Sequence, residues 1–337
     1  MALTDAVLGR RALLRAGAAG VAGVGFGALL SACGAGGAAG GRQAKVEDTQ
    51  KGTAGAVVRP ISEQENLLGG LELSYVAGTG PGDVQNKLLS GALDMASMGP
   101  IGAVIANDAG AALTVFSASL NNHVRWLVPE NSPYRTPADL RGKRIATPPS
   151  NSDAYRSTQL AAAVTGIEFE NEYEIHQGAV LAGLALFDRG DVEAIVTIEP
   201  NATRLVGKGA RQIATIDELW RQGTGRAEPL LLNGQGARAD WVAQHQDVAA
   251  ALAKLRLDVH HRIHERPQIL AELAEYYGIP ATEKQAIALL PERLVDIYPT
   301  EWGQAAAASM DTQIQVAVRH GLLAKPPAAA VYSNLTS

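Results

Sequence analysis

Over its first two thirds the chain alternates short apolar runs with longer stretches of helical spacing, and over the last third only the helical spacing remains. Leu71–Val76 alternates apolar and polar positions with period two, the signature of a half-buried strand. Leu93–Ser97, Leu113–Ser119, Val124–Val128, Lys143–Thr147, Tyr173–His176, Ala194–Ile198 and Leu230–Leu232 are compact runs that predict further strands. Between them, helices are predicted over Ala56–Glu65, Val84–Ser90, Ile101–Asn107, Ala154–Val164 and Val180–Arg189. The tail predicts Val248–Glu265, Gln268–Tyr277, Glu283–Leu290 and Ala305–His320. A first strand is expected at Lys45–Asp48, although only Val46 in it is clearly apolar. Alternating β and α elements predict an α/β fold with parallel sheets, which bind ligands at the carboxyl ends of their strands.

The stretch Thr136–Ser157 organises the middle of the chain. A short helix closes at Gly142, a brief strand comes next, and Pro148-Pro149-Ser150-Asn151-Ser152-Asp153 fills a turn before an alanine-rich helix. Small polar residues between a strand end and a helix start suit an anion or polar ligand, because free N–H groups and the positive helix end converge there. The segment Leu184–Ala194 repeats the pattern of Leu88–Met95: a helix stops at glycine, an acidic residue introduces a strand, and a proline-containing loop ends it. Two such units imply two similar lobes. The glycine-rich Gly78–Asp83 lacks the further glycine that a dinucleotide fingerprint needs and reads as a turn.

Composition narrows the address. With 337 residues, 47% hydrophobic and 19% charged, the chain suits two globular lobes. Arg10-Arg11 followed by an apolar Ala/Gly-rich run ending in Leu30-Ser31-Ala32-Cys33 reads as a twin-arginine lipoprotein signal over residues 1–33, its lipobox at Cys33. Residues 34–44 then form a flexible glycine-rich tether. Cys33 is the sole cysteine, so no intrachain disulfide or thiol cluster is available. Without residues 1–32 the chain has 26 basic and 33 acidic residues and a formal charge of −7, a poor balance for nucleic acid.

Four pieces resemble one family: LLSGALDMASMGP, SPYRTPADLRGKRIATPPSNSDAY, ALFDRGDVEAIVTIEPNATRLV and the tail around VAAALAKLRLDVH. Their order and spacing resemble the periplasmic solute-binding proteins of ABC importers, in the group serving aliphatic sulfonates, taurine, nitrate and thiamine-pyrimidine precursors. The resemblance implies a two-lobed type II periplasmic-binding-protein fold, with two crossover segments near Leu120–Val128 and Leu230–Ala237. Lobe I would hold residues 45–121 and 233–337, and lobe II residues 122–232. By position the ligand would meet Gln50, Lys51, Gly52, Thr53, Gly78, Thr79, Gly99, Pro100, Asn121, Asn122, Ser150, Asn151, Ser152, Asp153 and Glu199. Lys45–Asp48 departs from the strong apolar first strand usual in the family. The resemblance and the signal together imply a monomeric, exported, lipid-anchored protein on the outer face of the membrane. It would hand a small organic anion to an ABC permease, with no cofactor and no catalysis. A ligand sensor or surface interaction protein on the same scaffold, and a binder of a neutral heterocycle, are the alternatives.

Isolated chemistry is sparse. His260 and His264 stand one helical turn apart, a spacing that can hold a metal, but no third ligand completes the set, and a solvated helix face is expected instead. Glu199 could receive an amine or hydroxyl of the ligand, or equally stabilise the N-terminus of the helix after it. Lys51, Arg125, Arg156 and Arg204 are the cations nearest the expected cleft, and one of them is expected to pair with an anionic ligand.

Overall fold

The computed structural model describes residues 42–228 and 230–333, which fall within the compact unit Gly40–Ser337. The signal segment, Cys33 and most of the tether lie outside the described residues. Ten strands form two sheets. They are β1 (Arg42–Asp48), β2 (Leu71–Ala77), β3 (Met95–Met98), β4 (Leu113–Asn121), β5 (Val124–Val128), β6 (Arg144–Thr147), β7 (Glu174–Gln177), β8 (Ala194–Ile198), β9 (Arg211–Thr215) and β10 (Leu231–Arg238). The α-helices are α1 (Val58–Gln64), α2 (Pro81–Ser90), α3 (Pro100–Asp108), α4 (Asp153–Val164), α5 (Phe169–Glu172), α6 (Val180–Asp188) and α7 (Asn201–Gly207). They continue as α8 (Ile216–Thr224), α9 (Ala239–Gln244), α10 (Gln246–Glu265), α11 (Ile269–Glu272), α12 (Lys284–Leu294) and α13 (Gln304–Arg319).

The sheets have the orders β2-β1-β3-β10-β4 and β7-β6-β8-β5-β9, the same plan twice. Each is mixed rather than wholly parallel, because its fourth strand runs against both neighbours. That strand is in each case the one arriving from the other sheet. β5 comes after β4 with only Asn122-His123 between them, and β10 returns after β9 and α8. The duplicated plan extends to detail. Lys45 N donates to the Asp94 carboxylate and Asp94 N to Lys45 O; Arg144 N and Glu193 repeat the same exchange in the second sheet. The acidic residue heading the strand in both pattern repeats is therefore a splint between neighbouring strands.

Strand β1 begins at Arg42, three residues inside the stretch read as tether. It pairs with β2 along its whole length and with β3 only at Val46, and it buries Ala44 and Val46 alone. One apolar face suffices for such a strand, which is why its sequence looks weak. Strand β10 runs on through Asn233-Gly234-Gln235-Gly236, where its neighbours leave no space for larger residues. A Cβ on Gly234 would stand 2.4 Å from Ser117 O, and one on Gly236 2.7 Å from the Met98 Cβ.

Helix ends obey local chemistry. Ser152 caps α4 by accepting from Tyr155 N, and Thr215 with Glu218 forms a capping box on α8. Gly91 ends α2 with φ of 76°, a conformation cheap only for glycine. One core cluster joins the second sheet to α3 and α13 around Trp126, Phe169, Tyr173 and Tyr155; another packs the first sheet against α10–α12. Within the tail, α12 packs into the first-sheet core and also lies along α7, so close that a Cβ on Gly207 would meet the Ala286 backbone at 2.8 Å. His260 is fully buried and donates from Nδ1 to Pro299 O, and His264 bonds Tyr298 O. The pair holds the segment before α13 to α10, so the expectation of a solvated histidine face is corrected for His260.

Candidate functional site

Loops leaving the carboxyl ends of both sheets touch one another. Asn201, at the start of α7, donates from Nδ2 to Gly52 O at 2.8 Å. Across the same junction α3 faces α4. A Cβ on Gly99 would stand 2.6 Å from Asp153 Oδ1, and one on Gly102 2.6 Å from Arg156 Nη1. Only glycines let α4 approach so closely. The Asp153 carboxyl is pushed up to about 6 by burial, against the pull of Arg156, the Gly99 amide and the Asn233 side chain. His123, at the first crossover, is held down to about 4 by burial and stays neutral at physiological pH. A groove of about 290 Å³ runs between α3 and α4, lined by Ile101, Ile105, Ser150, Asn151, Tyr155, Arg156 and Gln159 among others.

The expected site residues divide into groups. Gly52, Gly99, Ser150, Asn151 and Asp153 lie at the junction or in its groove. Pro100 starts α3 and Ser152 caps α4, so both shape the junction through the backbone. Asn122 is buried at the crossover; its Oδ1 accepts from Val124 N, and its Nδ2 has no partner among the described residues. Asn233 Oδ1, at the return crossover, likewise lacks a partner. Unpaired buried polar atoms are costly unless water or a ligand satisfies them. Gln50 is used locally on Gly78 O, Thr53 on Gln50 O, Thr79 on Asp83 and Asn121 on Asp296 O. Lys51 lines a different cavity, inside the first lobe.

Glu199 leaves the ligand set. It has no exposed surface, and Oε2 accepts from Thr203 N and Oγ1 while Oε1 accepts from Arg293 Nη2 at 2.7 Å. Arg125 Nε stands 3.5 Å away. Its role is the helix-capping one, reinforced by two arginines. Arg204 is taken by Glu283 through two 2.7 Å bonds, so Arg156 is the one of the weighed arginines that reaches the groove. Sequence reasoning missed Asn201 and Asn233; the first directly succeeds Glu199-Pro200 at a strand end, a signal that was available.

Two sheets of one plan, exchanging a strand's worth of chain twice and meeting at their carboxyl ends, define the periplasmic-binding-protein fold. The family model described as NMT1/THI5 like matches residues 69–258, more than half of the chain, and the chain belongs to that family. Among solved structures it is similar to the alkanesulfonate-binding protein SsuA from Xanthomonas axonopodis pv. citri bound to MOPS. That match has a TM-score of 0.67 at 20% identity and covers 87% of this chain and 98% of that one. It is also similar to the periplasmic aliphatic sulphonate binding protein SsuA from Escherichia coli, with TM-score 0.64, 20% identity, and 85% and 94% coverage. The desulfurization enzyme DSZB shares the fold at TM-score 0.57 and 15% identity, with coverage of 85% and 94%. No curated protein matches the chain.

Proposed function

We propose that this chain is an exported, lipid-anchored solute-binding component of an ABC importer, capturing a small organic anion of the sulfonate or taurine type between its lobes. The observation that carries the reading is the junction itself. Polar loops from both sheets converge there, Arg156 lines its groove, and buried Asn122 Nδ2 and Asn233 Oδ1 have no partner among the described residues. Hinge closure over a ligand suits two crossovers of this length. Family membership and the fold shared with two sulfonate-binding proteins support the same reading. The described residues include no helix long and apolar enough to span a membrane. Attachment is proposed through a lipid on Cys33. Binding is proposed without turnover, and the ligand should be recovered intact after incubation.

The internal pairing of Arg125 and Arg204 favours a second reading, a neutral heterocycle such as a thiamine precursor, because it leaves few cations at the junction. A thermal-shift screen of the full chain decides between them, using taurine, ethanesulfonate, nitrate and the thiamine pyrimidine. At a hundred times its dissociation constant a ligand adds about 2.7 kcal/mol, a readable rise in melting temperature. A rise with sulfonates supports the first reading, and a rise with the pyrimidine alone supports the second. No rise with any of the four contradicts both.

A further inference from the structure

A cavity of about 550 Å³ opens inside the first lobe, between one face of its sheet and helices α1 and α10. Its size falls in the range of small-molecule sites. No residue of the second sheet or its helices lines it, although Lys51 and Tyr276 in its wall adjoin Gly52 of the interlobe junction. Its chemistry is unbalanced. Arg256, on α10, is 7% exposed and makes no hydrogen bond and no ion pair within 4.0 Å among the described residues; its Nε is buried without a partner. Gln235, on β10, is 2% exposed, and its Oε1 is also without a partner. Glu47 Oε2 accepts from the Ser97 amide at 3.0 Å, and the Ser97 side chain supports the same carboxylate. Glu47 and Arg256 feel each other's charge without touching.

A buried guanidinium is retained at a cost unless an anion meets it. Here Arg256 lines the cavity, and Glu47 acts on it only from a distance. The Gln235 carbonyl and the Glu47 carboxylate can only accept, so they call for an N–H donor. Between these poles the walls carry Leu73, Met95, Leu252 and Leu255, which suit methylene groups. We infer that this cavity is a second binding site, for a small zwitterion such as an ω-amino acid, with its acid group on Arg256 and its ammonium on Gln235 and Glu47. Burial lowers the Arg256 guanidinium to about 10, which leaves it charged at neutral pH and able to hold the acid group.

The inference goes beyond the interlobe reading and is tested apart from it. The full chain is titrated by calorimetry with β-alanine, 4-aminobutanoate and 6-aminohexanoate, and with propionate and propylamine as the two halves. At least one amino acid should bind, with each half binding far more weakly. Arg256→Met should weaken that binding by about 30-fold or more, the effect of removing one partner from a buried charge pair. Gln235→Met and Glu47→Gln should each weaken it too, and they carry the test if Arg256→Met does not fold. Gly102→Leu, a wedge between α3 and α4, should leave it unchanged. Absence of binding by all three amino acids overturns the proposal. So do equal binding of propionate, survival of binding in Gln235→Met and Glu47→Gln, and loss of binding in Gly102→Leu.

Discussion

Arg293→Met tests how the tail is fastened to the second lobe. Arg293, on α12, donates to Glu199 Oε1 at 2.7 Å, Gln212 Oε1 at 2.8 Å and Thr203 Oγ1 at 3.0 Å. Its side chain is 19% exposed and that of Glu199 is 0% exposed, so the pair is weakly screened by water. Removing one partner of a buried pair typically costs about 3–5 kcal/mol, mostly by stranding the other charge. Arg125 at 3.5 Å and the two Thr203 bonds still support Glu199, which places the expected loss near the lower end, about 3 kcal/mol. For a chain of this size each kcal/mol moves the melting temperature by about 2–4 °C, so a fall of roughly 6–12 °C is expected. Urea titration of wild type, Arg293→Met, Glu199→Gln and the double variant gives the coupling directly. The double variant should lose less than the two single losses combined, because residues in one network are not additive. A single-variant loss below about 1 kcal/mol, the range of an exposed pair, together with additive behaviour, would refute the buried-network reasoning.

Asp153 gives a pH-dependent prediction. Its folded pKa is raised, so the folded state holds a proton that the unfolded state has released, and stability declines as pH rises from about 4 to about 6. Asp153→Asn should therefore stabilise the chain at pH 7 by about 1–3 kcal/mol, the gain fading towards pH 4; a gain independent of pH would contradict this. His123 works the other way. Its depressed pKa, like that of buried His260, withdraws stability as pH falls from 6.5 to about 4, and the Asp153→Asn variant should show that slope more steeply in thermal melts. Gly207→Ala would force a Cβ to within 2.8 Å of the Ala286 backbone, and overpacking of that seam should cost about 1–3 kcal/mol in urea titrations; an unchanged midpoint would mean that the seam yields freely. Cys33→Ser should move the protein from the membrane fraction to the soluble one on cell fractionation, and retention in the membrane would end the lipoprotein reading.

The strands most legible in the sequence were those buried by neighbours on both sides. β5 and β8 were read to the residue because Val124–Val128 and Ala194–Ile198 pack apolar side chains within the second sheet. β9 was missed, since Arg211–Thr215 is an edge strand with mostly half-exposed residues and one partner. The second half of β10 was missed for the opposite reason, as its glycines and amides sit in crowded central positions where apolar patterning gives no signal. α12 ran past its expected end because Pro291 lies within the helix. The loops of the junction could be placed from strand ends and caps, but side-chain partners could not. Nothing local distinguishes Arg293, which fastens Glu199, or Arg256, which faces a cavity, from an ordinary exposed arginine of a helical tail.

If a solute is held by closure of α3 against α4, a wedge between the two helices must weaken its binding. Calorimetric titration of wild type and Gly102→Leu with ethanesulfonate, nitrate and the thiamine pyrimidine tests this. The nearest atoms a Cβ at Gly102 would meet are Arg156 Nη1 at 2.6 Å and Asp153 Oδ1 at 3.3 Å, both on the facing α4, so the wedge presses against closure. At least one compound should bind the wild type. Gly102→Leu, with an undiminished melting temperature in the absence of ligand, should bind that compound about tenfold more weakly or worse, a loss of about 1.4 kcal/mol. Equal affinity in the two proteins, or no binding by any of the three, would contradict closure of the junction over a solute.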